Sequence, residues 1–262
     1  MQPTSLRRSA AIQLRVIHAL VMREVLTRYG RHNIGFLWLF LEPMLFTLGV
    51  TTLWTLSKAS HGSSLPIVAF AVTGYSSVLL WRNTSGRCVK ALEPNLDLLY
   101  HRNVTVLDVY FARIFLELAG ATVSCTVLTL VFSLAGWMQP PANLFTAFSG
   151  WALLCWFAAS LGLLIGALSE KGELIDRVWH IFTYLLFPLS GAGFLVEWMP
   201  ATFQDFLAWV PMVHGTEMIR HGFFGSLIHP HYNPGFLACV NATLTVLGLA
   251  MSTQLRQHVQ PA

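Results

Sequence analysis

From Leu144 to Leu168 the sequence runs without one charged side chain, and that run constrains the fold more than any other feature. The hydrocarbon core of a bilayer is crossed by about 20 mostly apolar helical residues. A helix satisfies every backbone polar group within itself, which a lone strand in lipid cannot do. Comparable runs recur. They predict an all-α membrane protein with six transmembrane helices, over 34–57, 65–81, 104–137, 144–168, 174–194 and 236–255. The chain is one membrane domain, 1–262. Its 55% hydrophobic and 11% charged residues lie far from the one-quarter charged share of soluble domains.

The cations between the runs report topology. Lys and Arg accumulate in short cytoplasmic loops. Arginines crowd the segment before the first run, Arg82, Arg87, Lys90 and Arg102 follow the second, Lys171 and Arg177 the fourth, and Arg256 the sixth. The opposite loops carry Lys58 and Arg220. Both termini are therefore expected in the cytoplasm, and the formal charge of +4 is not a nucleic-acid footprint. The first apolar run starts late and is too long for a signal-peptide core, so it should remain as an anchor. Cys125, Cys155 and Cys239 fall in apolar runs and Cys88 in a basic loop, a spacing that offers neither a disulfide framework nor a metal site.

Three segments outside the runs invite a functional reading. In 11–32, Met22, Val25, Leu26 and Tyr29 share one helical face, with Arg23, Glu24, Thr27, Arg28 and Arg31 opposite. That pattern suits an amphipathic interface helix at an anionic membrane surface, or a helix packed on protein. In 82–103, Asn83, Thr84 and Ser85 are cap candidates and Pro94 a breaker. Arg87, Lys90, Leu92, Leu96, Leu98 and Tyr100 give a short helix a mixed face for docking on a partner or on lipid. In 195–235, Pro200 and Pro211 are placed to open two short helices, over 201–210 and 212–224. Too apolar for a solvated loop, this segment is expected to re-enter the membrane as an outer gate, with Pro211, Glu217 and Arg220 as its candidate residues. His214, Glu217 and His221 share a face at a spacing a metal could use, but three residues without a further ligand are read as hydrogen-bonding groups.

No G-x-x-x-x-G-K-S/T cradle occurs, so energy must come from another subunit or an ion gradient. Ion-driven carriers place acidic or histidine relays at mid-membrane; here the mid-span candidates are Glu42, beside Pro43, and His180. Several tryptophans mark span ends. A subset of aromatics, Trp38, Tyr75, Trp81 and Tyr184, is a candidate lining with Glu42 for a sugar conduit. Asp108 and Glu117 are the best carboxylates for an enzyme acting on lipid-linked sugars. Nine residues apart, they should face opposite sides of one helix, which argues against a shared site.

The stretch REVLTRYGRHNIGFLWLFLEPM, Arg23 to Met44, resembles the ABC-2 permeases, and among them the KpsM-type capsular polysaccharide export permeases. The matched residues are Arg23, Glu24, Arg28, Tyr29, Gly30, Gly35, Phe36, Leu37, Trp38, Glu42 and Pro43. WVPMVHGTEMIRHGFF resembles the segment before the last span of that family through Pro211, Glu217 and Arg220. Val210 departs from the family's asparagine. The resemblance implies an ABC-2 exporter fold and a homodimer on two ABC ATPase subunits that bind ATP and Mg, this chain holding no cofactor. It makes 82–103 the coupling region, and it implies a lipid-linked capsular polysaccharide as cargo in the bacterial inner membrane. A periplasmic co-polymerase or adaptor and an outer-membrane exporter are the implied partners. O-antigen and teichoic acid exporters are the alternative cargo classes within the resemblance.

Overall fold

A computed structural model describes residues 6–30, 35–57, 65–99 and 104–259. Among these residues the regular structure is entirely helical. The elements are α1 (Leu6–Tyr29), α2 (Gly35–Leu56), α3 (Ile67–Cys88), α4 (Leu96–Leu99), α5 (Val106–Leu134), α6 (Leu144–Ser169), α7 (Glu173–Leu189), α8 (Ala201–Leu207), α9 (Pro211–Phe224) and α10 (Pro234–Val259). Short 3-10 turns fall at Glu93–Asn95, Val196–Trp198 and Gly225–Leu227.

Among the described residues, four helices are long and apolar enough to cross a membrane: Leu37–Leu56, Val106–Leu134, Leu144–Ser169 and Pro234–Leu255. The other two expected spans differ in kind. α7 has 17 residues and opens with Glu173 and Asp176. α3 is buried along most of its length and runs seven residues beyond the expected end at Trp81. Its continuation absorbs the expected cap residues. The Thr84 hydroxyl donates to the Leu80 carbonyl at 2.6 Å and the Ser85 hydroxyl to that of Trp81 at 2.8 Å, so both lie in the helix interior and bond back one turn.

Local signals set the helix starts. Thr105 and Asp108 form a capping box at α5, with the Thr105 amide donating to the Asp108 carboxylate at 2.8 Å. The Asn143 side chain accepts the Thr146 amide at 3.1 Å and caps α6. Pro211 occupies the first turn of α9, where its missing amide costs nothing. α7 ends soon after Pro188, short of the expected Phe194, and Gly191 (φ 78°) turns the chain away.

α6 is the central post, packed against α3, α9 and α10. Small residues permit that closeness. A Cβ on Gly150 would sit 2.8 Å from the Ile219 amide nitrogen, and one on Gly166 would sit 2.9 Å from the Cys88 carbonyl. The core between these helices holds Trp81, Leu154, Phe157 and Ile219.

Candidate functional site

Where α3 ends, charged side chains from four helices converge. Arg28 of α1 pairs with Glu24 at 2.7 Å and with Glu117 of α5. Arg113 of α5 reaches Glu24 at 3.0 Å. Arg87 of α3 stands 3.7 Å from Glu117 and 3.6 Å from Glu42 of α2, while its carbonyl accepts from Arg113 at 2.9 Å. Three arginines thus face three glutamates, and the hub is neutral as a whole. Burial works against the charge on Arg28, but the carboxylates of Glu117 and Glu24 outweigh it and raise the pKa above the ordinary arginine value. The hub joins candidates from three separate groups: Glu24 and Arg28 of the expected interface helix, Glu42 of the conduit, and Arg87 of the coupling region.

Beyond α3 the chain is clamped from two sides. Lys90 adopts φ 50°, in the left-handed region that few side chains favour. Its amide donates to the Ser169 hydroxyl at 3.0 Å, and the Leu92 amide to Glu170 at 2.9 Å. Burial pushes the Glu170 carboxyl above its usual range, although that amide and Lys90 pull it down. From the other side Arg23 donates to the Pro94 carbonyl at 3.1 Å and to the Asn95 side chain. Held this way, the 3-10 turn and α4 present Glu93, Pro94, Leu96 and Asp97 outward, and Leu98 stays half-buried. Leu92 corrects the expected docking face. It is 1% exposed in a cluster with Cys88, Leu99 and Tyr110, held inward beyond the end of α3 by the bond of its amide to Glu170. Arg31 and Tyr100 lie outside the described residues, as does the side chain of Tyr29.

A second constellation is made by α9. Arg220 is wholly buried; its guanidinium donates to the carbonyls of Gly191, Ala192 and Phe194, the Ala192 bond at 2.6 Å, and lies 3.8 Å over the Phe70 ring. Glu217, equally buried, accepts the Val196 amide at 3.1 Å and that of His231 at 3.4 Å. Both side chains therefore bond to the backbone of 191–196 and 231, and the buried Arg220 Nε keeps no partner among the described residues. Among the described residues no His, Cys, Asp and Glu group forms a metal cluster. His214 accepts the Asn233 amide on Nδ1 at 3.0 Å and meets the Ala208 carbonyl through Nε2 at 2.9 Å, while His221 meets the Tyr232 hydroxyl.

The conduit candidates divide. Glu42 and Tyr184 line a cavity of about 410 Å³ between α2, α3 and α7, together with Arg82, Asn83, Arg87 and His180. Tyr75 sits outside it, in an aromatic cluster with Trp54, Phe46 and Phe187. Trp38 is half exposed on α2. Trp81 cannot line an opening: it has no exposed surface and packs in the core with Leu154 and Phe157, since the extended α3 moves the helix end past it.

Arg113, Arg82 and Glu170 are not among the candidates, and Glu117 is one only for an enzyme on lipid-linked sugars, although a signal exists: Arg113 and Glu117 stand as charges inside an apolar run. The opposed placement expected of Asp108 and Glu117 also needs correction. Both are reached from α1, Asp108 by Gln13 and Glu117 by Arg28. Asp108 turns back to cap its own helix instead of projecting radially. The two remain separate, each engaged by its own partners.

Residues 15–224 match the family model described as ABC-2 type transporter. The chain is 45% identical over 261 residues to the capsule polysaccharide export inner-membrane protein CtrC of Neisseria meningitidis serogroup B, covering 100% of this chain and 98% of that protein. It is 42% identical over 258 residues to the capsule polysaccharide export inner-membrane protein BexB of Haemophilus influenzae, with 98% and 97% covered. It is 26% identical over 243 residues to the polysialic acid transport protein KpsM of Escherichia coli, with 92% and 93% covered.

Proposed function

Because this chain belongs to the ABC-2 type transporter family, we propose that it is the transmembrane permease subunit of an ATP-driven exporter of lipid-linked capsular polysaccharide at the inner membrane. The observation that carries this reading is similarity from end to end, at 42–45% identity, to inner-membrane proteins named for capsule polysaccharide export. ATP and Mg belong to two partner ATPase subunits, and this chain is not itself catalytic.

In this reading α2, α3, α5, α6, α7 and α10 are six spans and α1 lies in the inner interface, with both termini cytoplasmic. α8 and α9 form the re-entrant outer gate. Two copies of the chain enclose the conduit, and periplasmic and outer-membrane components receive the glycan. The outward face of α4 is the ATPase contact, with Leu96 at its centre and Lys90 and Leu98 at its edge. Its position supports a coupling role. The segment continues from α3, is gripped by Arg23 of α1 and by Ser169 and Glu170 at the end of α6, and adjoins the hub through Arg87. A push on α4 therefore reaches α1, α3, α5 and α6 together, as a packed two-state element requires.

The test is co-purification of the tagged chain with the ATPase encoded beside it, followed by ATPase activity in lipid nanodiscs and capsule export in a strain deleted for the chain. A vanadate-sensitive complex and restored capsule are expected. Failure to recover any nucleotide-binding partner, or lipid-linked sugar turnover by the chain alone, would overturn the reading.

A further inference from the structure

The cavity between α2, α3 and α7 carries one positive charge that the described residues leave unbalanced. Arg87 faces Glu42 across it at 3.6 Å, and His180 at its rim is engaged by Asp176 at 3.3 Å. Arg82 has no carboxylate within ion-pair distance among the described residues. Its guanidinium instead lies 4.9 Å from the centroid of the Tyr184 ring and 5.9 Å from that of Phe187. These cation–π contacts use none of the guanidinium's N–H donors, which stay available to a ligand.

We propose that this cavity seats the phosphate of a lipid, bound edge-on by Arg82. Four observations fit that chemistry. An arginine on a membrane helix without an acidic partner needs an anion more than one in water does. A guanidinium fork matches phosphate oxygens bidentately. Asn83 adds an amide beside it, and Gly86 leaves the neighbouring wall open, since a Cβ there would meet nothing within 4 Å. Pro43 and Phe46 of α2 and Leu79 of α3 add an apolar lining, which suits the glycerol and first acyl carbons of a lipid better than a free ion. Basic pockets between membrane helices hold anionic head groups in the same manner. Glu42 limits how much negative charge can enter, which favours a singly charged phosphodiester over a dianion.

That phosphate has two sources, a phospholipid of the bilayer or the anchor of the transported glycan; only the second rests on the function proposed above. The full chain is purified in mild detergent from a strain that makes the glycan and from the same strain blocked in glycan synthesis. Bound lipid is identified by native mass spectrometry, and the delipidated chain is titrated with phosphatidylglycerol. The wild-type chain is expected to retain one phosphate-bearing lipid, and Arg82→Gln to bind phosphatidylglycerol at least about tenfold more weakly, the loss of a charged hydrogen-bonding partner. Retention from both strains assigns the seat to phospholipid, and retention only from the glycan-producing strain assigns it to the anchor. No retained lipid in the wild type, or undiminished binding by Arg82→Gln, would overturn the proposal. If the Gln variant does not reach the membrane, Tyr184→Ala carries the test by removing the nearer of the two rings beside the guanidinium. A several-fold loss supports the seat, and unchanged binding refutes it. The readout needs neither ATP nor a partner, so a failed export assay leaves it intact.

Discussion

Glu117 is the carboxylate through which α1 and α3 meet on α5, and its replacement by glutamine tests whether the hub holds them. Its side chain is 10% exposed and that of Arg28 is 13% exposed. Removing one member of a buried ion pair costs about 3–5 kcal/mol, mostly because the other charge is left uncompensated. Arg28 keeps Glu24 at 2.7 Å, so Glu117→Gln should cost about 3 kcal/mol, the lower end of that range. Arg28→Gln should cost a similar amount, leaving Glu117 with only Arg87 at 3.7 Å. If the pair is the cause, the double variant loses little more than either single one, and the coupling energy is about 2–3 kcal/mol. The assay is reversible unfolding in mixed micelles by dodecyl sulfate titration, followed by tryptophan fluorescence. A coupling below about 0.5 kcal/mol, the scatter found for independent sites, would refute the hub as a unit.

Further expectations follow from the same geometry. Leu96→Asp, on the outward face of α4, should abolish co-purification of the ATPase while the chain inserts normally, whereas the buried Leu92→Asp should lower the amount of folded chain in the membrane; equal behaviour in pull-down and membrane fractions would contradict the assigned faces. Arg220→Ala strands three backbone carbonyls and should cost about 3 kcal/mol or more, seen as loss of folded protein; normal abundance with export blocked would make it a gate residue instead of a staple. Gly150→Val should separate α6 from α9 and lower the thermal midpoint, read by fluorescence-detected size exclusion, since its Cβ lies 2.8 Å from backbone and overpacking costs about 1–3 kcal/mol. Burial raises the folded-state pKa of Glu170 above its reference value of 4.5, so the folded chain holds this proton more tightly than the unfolded one. Stability from this group is present below pH 4.5 and lost as pH rises through the raised value. Glu170→Gln should flatten that part of the stability profile, and an unchanged slope would refute the assignment.

The sequence was informative where a single helix decides the outcome. Long uncharged runs made α5, α6 and α10 legible, since spanning lipid depends on the hydropathy of one segment alone. Pro200 and Pro211 announced α8 and α9 through the local geometry of proline. The spacing of Glu24 and Arg28 announced their pairing within one turn and a little more. Tertiary structure decided the rest. Whether α3 stopped at Trp81 or continued to Cys88 depended on α6 offering Gly162 and Gly166 against its last turns, which no window around Trp81 contains. Leu92 turned inward and Leu96 outward because the Arg23 guanidinium of α1 and the Ser169 hydroxyl and Glu170 carboxylate at the end of α6 grip the segment. Glu117, which looked like an isolated charge in an apolar run, gained its role from Arg28 of α1, 89 residues before it, and from Arg87 of α3. Periodicity reports one helix and its solvent, whereas a charge buried among four helices is stabilised by partners whose proximity only packing creates.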